Sequence, residues 1–217
     1  MQWFSAAITA IGVTGICYGA QYYLNKKYEM NLSCRGKWII DRVVLAVGIF
    51  ACITTFLLGI VRLPQMGFTG YLLTAILLTG LAVITVTDWK KQLISNKTIL
   101  LLLALWVVIT GSNIIVNLDS GVALLFRSLG GALISGIIFG LCYLLSRGGM
   151  GAGDVKLAFT MGLYLTGERI MGAIFYGTIL CCIFSVVQLL RKKLTLKNGV
   201  PMAPFLYAGT VLTLFIL

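Results

Sequence analysis

Long apolar runs follow one another along this chain, separated only by short polar breaks, and they leave it few ways to fold. They lie at Trp3–Leu24, Ile39–Val61, Gly70–Thr87, Thr98–Val116, Gly121–Leu145, Val155–Thr166, Ile170–Leu190 and Val200–Leu217. A helix needs roughly 17–25 apolar residues to cross the hydrocarbon core of a bilayer. Of the 217 residues, 59% are hydrophobic and 11% charged, whereas soluble domains carry about 25% charged residues. Such a chain cannot cover a water-facing surface. The pattern predicts an all-α polytopic membrane protein, a bundle of about eight transmembrane helices in one membrane-embedded domain over 1–217. Within it, 3–61 forms an N-terminal helix pair around a short loop at 25–38, and 70–217 forms the remaining helices. A cytosolic enzyme, a secreted disulfide module and a disordered tail are excluded. The first run is too long, and lacks the basic flank, for a cleavable signal peptide, so it reads as a retained helix.

The net charge of +11 has its bland explanation in topology. With the N-terminus outside, fourteen of the seventeen Lys and Arg residues fall on the cytoplasmic side, and only Arg62, Arg127 and Arg169 fall outside. This is the positive-inside bias of plasma-membrane proteins, helped by anionic headgroups, and it requires no nucleic acid. The short run Val155–Thr166 rises only about 18 Å as a helix, against a core of roughly 30 Å. It is either a crossing or a re-entrant segment. The charge rule favours a crossing, because otherwise Arg191, Lys192 and Lys193 would face outward.

The chain contains no histidine. Serine–histidine–aspartate triads, cysteine–histidine pairs and imidazole zinc sites are therefore excluded. Of the six cysteines only Cys34 sits in a polar loop, and no CxxC occurs, so neither a zinc knuckle nor a redox pair is expected. Chemistry must come from the six acids. Glu29, Asp41, Asp119 and Glu168 have ordinary readings as surface or helix-end charges. Asp88 closes an apolar run, and Asp154 stands between two apolar helices in Gly148-Gly149-Met150-Gly151-Ala152-Gly153-Asp154. Each has a plain reading alone, Asp88 as a helix-end anchor and Asp154 as an N-cap. Yet both are expected at one face of the membrane, where ionisable groups usually line a water pocket. Two carboxylates sharing one proton can hydrolyse a peptide bond: the ionised one draws a proton from water while the protonated one donates to the carbonyl oxygen. The four glycines of the segment either admit an extended substrate strand or simply let helices pack. Lys156 either sits beside Asp154 or reaches to the membrane interface.

These residues resemble a known family. Met150-Gly151-Ala152-Gly153-Asp154-Val155-Lys156-Leu157, with Gly162 following, resembles the GxGD motif of type IV prepilin peptidases. Asp88-Trp89-Lys90-Lys91-Gln92-Leu93-Ile94-Ser95-Asn96 resembles that family's first aspartate segment, with Ser95 where proline is usual. Val200-Pro201-Met202-Ala203-Pro204 resembles its last proline-bounded segment, with Met202 and Ala203 in place of Phe-Gly. The resemblance implies a membrane aspartic endopeptidase that cuts the basic leader from pilin-like precursors at the cytoplasmic face. It assigns Asp88 and Asp154 as the catalytic pair and Gly151 and Gly153 as shaping the site; Lys156 joins them as a candidate binding or shaping residue, and no metal or cofactor is expected. Many members also carry a cysteine-paired methyltransferase region between the first two helices. Here Asn25–Trp38 holds a single Cys34, so methyltransferase activity is expected to be absent. The competing readings are a transporter or channel with Asp88 and Asp154 as proton or cation sites, and a scaffold that lost activity.

Overall fold

The computed structural model describes residues 42–146, 149–191 and 200–217, together with the helical glycines Gly12, Gly15 and Gly19. The expected first crossing (apart from those glycines), the loop at 25–38 with Cys34, and Lys192, Lys193 and Lys197 lie outside the described residues. Among the described residues every regular element is helical: α1 (Arg42–Val61), α2 (Leu63–Lys91), α3 (Asn96–Val116), α4 (Leu118–Leu145), α5 (Ala152–Leu190) and α6 (Ala203–Ile216). Four of them, α2 to α5, are long and apolar enough to cross a membrane. The described apolar parts of α1 and α6 are shorter. The bundle is apolar outside as well as inside. Leu100, Ile115, Phe126, Leu144 and Phe175 are exposed, as suits a surface facing lipid. Several buried hydroxyls are satisfied by their own helices. Thr79 donates to the Ala75 carbonyl, Ser135 to Gly131 and Thr213 to Gly209. This is how short polar side chains are tolerated where no water reaches.

α2 is the centre: 78% of its most apolar stretch is buried, against 22–28% for α3, α4 and α5. α6 runs antiparallel beside it. The Arg62 guanidinium at the start of α2 donates to the Phe215 carbonyl (2.9 Å) and the Leu217 carbonyl (3.3 Å), while Asp88 in the last turn of α2 meets the beginning of α6. α3 is tied to α5 through its backbone. Trp106 Nε1 donates to the Leu163 carbonyl (3.1 Å), and the Tyr164 hydroxyl to that of Leu102 (2.6 Å).

The expected crossings Val155–Thr166 and Ile170–Leu190 are joined without a loop in the 39-residue α5. A straight helix of that length would span about 58 Å. Its backbone breaks at Thr166 (φ 61, ψ −179), and there the chain folds back. Two contacts require this. Trp89 stacks near Phe184 with ring centroids 6.3 Å apart, and Gly153, at the start of the same helix, packs on Ile94, five residues after Trp89. A straight α5 would put Asp154 and Phe184 about 45 Å apart. A β-branched residue with positive φ is costly, on the order of 1–3 kcal/mol, so the turn is held by its surroundings. Its first arm packs on α4, where a Cβ on Gly162 would run into the Gly131 carbonyl and the Ser135 hydroxyl. Its second arm packs on α6 through Gly172 against Thr213 and Gly177 against Leu206. The span expected from Val200 becomes a helix only at Ala203, with Pro204 in its first turn, and is 14 residues long.

This contact yields a stability prediction. Gly162→Ala forces the first arm of α5 away from α4 and lowers stability by about 1–3 kcal/mol, read as a lower thermal unfolding midpoint of the purified protein.

Candidate active site

The last turn of α2 delivers Asp88 to the interior, where it is 4% exposed. The helix ends just beyond it at Gln92, whose left-handed backbone (φ 51) donates its N–H to the Asp88 carbonyl. The Asp88 carboxylate does not face empty space. Its Oδ2 accepts the Ala203 N–H at 2.9 Å, and the Met202 N–H also bonds to it. Ala203 is the first residue of α6, and no side chain of that segment caps the helix. The first amides of a helix lack partners and carry partial positive charge. Asp88 supplies the missing cap from another helix. The proline-bounded segment at 201–204 is what brings those amides to it.

Asp154 is the third residue of α5, not its N-cap. Gly151 occupies the cap position with extended backbone (φ −76, ψ 139). The Asp154 carboxylate reaches back to the Gly151 N–H, while the Asp154 N–H donates to the Gly151 carbonyl at 3.0 Å. The acid at the third helical position thus supplies one half of a capping box, and a backbone turn bond stands in for the side chain that the glycine cap lacks. A Cβ on Gly151 would stand 3.3 Å from Asp154 Oδ2, so a side chain there would press on the carboxylate. Asp154 is half-buried and lies near enough to Asp88 for the two charges to interact.

Gly153 explains the approach of these segments. A Cβ on it would come 3.1 Å from the Cβ of Ile94 in the turn after α2. Without a side chain, the start of α5 packs directly on that turn. Lys156 goes elsewhere: its Nζ donates to Asn96 Oδ1 at 3.3 Å on the exposed side. That bond ties the GxGD segment to the end of the first aspartate segment. Trp89, Phe184 and Phe205 form an aromatic row across the site, with Phe184 and Phe205 centroids 5.1 Å apart. An apolar groove of about 470 Å³ begins at Val155 and Lys156 and continues between Ile99, Leu133, Ile137 and Phe159.

The structure thus gathers Asp88, Asp154, Gly151 and Gly153, and turns Lys156 toward Asn96. The amides of Met202 and Ala203 and the aromatic row were not singled out as site groups in the sequence. Backbone donors carry no sequence signal, and Phe184 is one apolar position among many in its run. Among the described residues no group of three acid, cysteine or histidine side chains gathers as a metal cage.

Residues 75–186 match the type IV leader peptidase family, a stretch that contains both aspartates. The prepilin leader peptidase/N-methyltransferase of Bacillus subtilis (strain 168) is 27% identical over 132 residues, which cover 61% of this chain and 50% of that protein. The chain therefore spans about half the length of the curated relative it matches. No solved structure matches the chain.

The Ser95 position allows a direct check of the turn that carries the site. Its φ of −69 is that of proline, and its buried hydroxyl has no hydrogen-bond partner among the described residues. Ser95→Pro is expected to stabilise the protein by about 0.4–1 kcal/mol through the unfolded state, measured as a raised unfolding midpoint.

Proposed function

The chain belongs to the type IV leader peptidase family, and we propose that it is a membrane aspartic endopeptidase that cuts the basic leader from type IV pilin-like precursors. The observation that carries this reading is the packing of Gly153, beside Asp154 at the start of α5, on Ile94 in the turn that follows Asp88 at the end of α2. One carboxylate takes a proton from water, the hydroxide attacks the scissile carbonyl carbon, and the other carboxylic acid protonates the carbonyl oxygen. Collapse of the tetrahedral intermediate breaks the C–N bond, and a proton passes to the departing amine. The amides of Met202, Ala203 and Gly151 hold the two carboxylates in position. Gly151 and Gly153 leave space for an extended strand, and the groove from Val155 to Phe159 takes the apolar segment that follows the cleavage site. Lys156 acts on the site through Asn96 and not as a direct partner of Asp154.

The same reading places the chain in the plasma membrane as one domain with eight crossings, the fold-back at Thr166 separating two of them. The N-terminus is outside and the aspartates face the cytoplasm, in keeping with Lys90, Lys91, Lys156 and Arg191 near their end of the bundle. Pilin-like precursors and the bilayer are its partners; nucleic acid is not. A transporter would hold its acids near the midplane, whereas these stand at helix ends. The short loop with Cys34 alone supports a peptidase without the methyltransferase activity named for the Bacillus subtilis relative.

Asp88→Asn and Asp154→Asn are the informative variants. An asparagine oxygen still accepts the amide bonds, so the helix caps survive and only the acid chemistry is lost. Cleavage of a precursor with a basic leader is expected to fall by roughly 10²–10⁴-fold in each, with expression retained. Full activity in either variant contradicts the dyad. A second assay supplies the purified protein with precursor and a methyl donor. Cleaved, unmethylated product is expected, and methylated product contradicts the assignment.

A further inference from the structure

The end of the bundle remote from the aspartates holds a cavity of about 860 Å³, lined among others by Met66, Leu124, Arg127, Ile134, Thr166 and Arg169. Gly70 on its wall is about 27 Å of helix from Asp88. Both interruptions of the helical backbone lie at its edge. Gly67 (φ 70) adjoins Met66, and Thr166 (φ 61) lines the cavity itself.

The charges here do not balance. Arg62 is engaged by the carbonyls at the end of α6. Its charge is felt by Arg169, which is half-buried. Arg127 stands on the α4 wall and makes no ion pair among the described residues. Glu168 is the single acid of the lining, against Arg127 and Arg169. Arg127 is exposed and Arg169 half-buried, and the charges that act on Arg169 are those of Arg62 and Glu168, so the lining as a whole keeps a net positive charge open to an anion. Asn113, Ser120 and Thr69 add polar groups to the same lining, while Met66, Leu124 and Ile134 make it partly apolar. Guanidinium forks match phosphate oxygens, and the apolar wall matches an acyl chain. Leu129, two residues from Arg127 on α4, is exposed.

We propose that this cavity binds the phosphate of an anionic amphiphile, with Arg127 and Arg169 as its ligands. The shared chemistry is a phosphate, whose source is a phospholipid headgroup or free phosphate. The test measures thermal unfolding of the full chain in neutral detergent with phosphatidylglycerol, phosphatidylcholine or inorganic phosphate. Phosphatidylglycerol is expected to raise the midpoint by several degrees and phosphatidylcholine to leave it unchanged. Arg127→Gln and Arg169→Gln should each weaken the phosphatidylglycerol effect by roughly tenfold or more in the concentration required. Arg191→Gln, which removes one charge at the other end, should retain it. An equal rise with inorganic phosphate, lost in the same two variants, assigns the site to free phosphate. Should a variant fail to fold, native mass spectrometry of the unaltered protein decides by whether phosphatidylglycerol is retained in preference to phosphatidylcholine. No preference in either measurement, or an undiminished shift in both arginine variants, overturns the proposal.

Discussion

A carboxylate buried at the end of a helix needs donors, and the first amides of another helix need an acceptor. The bond from the Ala203 N–H to Asp88 meets both needs at once. A hydrogen bond to a charged group contributes about 1.5–3 kcal/mol, and leaving such a group unpaired costs at least as much. The opposite end of α6 is treated in the same way, with the Arg62 guanidinium on its last carbonyls. Both charges belong to α2 and match the dipole of α6 at its two ends. The central helix therefore fixes the register of the last one, and in doing so fixes the direction in which Asp88 presents its free oxygen.

Close packing brings the second acid to that place. Lipid offers no hydrophobic force between helices, so they associate through contact of small residues and backbone. Gly131 and Gly162 permit the first arm of α5 to lie against α4, and Gly153 permits its beginning to touch Ile94. The fold-back at Thr166 then returns the second arm to the same level, where Phe184 meets Trp89 and Phe205. Sixty-six positions separate Asp88 from Asp154 in the chain. The packing of four helical segments removes that separation.

Much of this was legible in the residues. The run Thr98–Val116 is α3 (Asn96–Val116) and Gly121–Leu145 is most of α4 (Leu118–Leu145), because apolar length and polar breaks are strong signals in a membrane chain. Asp88 and Asp154 stood out because acids there are rare. Other features had no such mark. A helix apolar on every side shows no periodicity that would reveal which face meets a neighbour. The fold-back occupies one residue, Thr166, with no turn sequence around it. The N-cap role went to Gly151 and left Asp154 at the third position, since only geometry distinguishes the two. Lys156 found Asn96, a neighbour supplied by packing and absent from its own segment.

The claim at the centre is that two acids on different helices act as one catalytic unit. Single-turnover cleavage of a precursor by Asp88→Asn, by Asp154→Asn and by the double variant tests it most directly. Groups that work only together are non-additive. The account predicts that the double variant is no slower than the slower single variant. Losses that multiply, with the double variant slower by the product of the two single effects, would mean that the acids act independently and would contradict it.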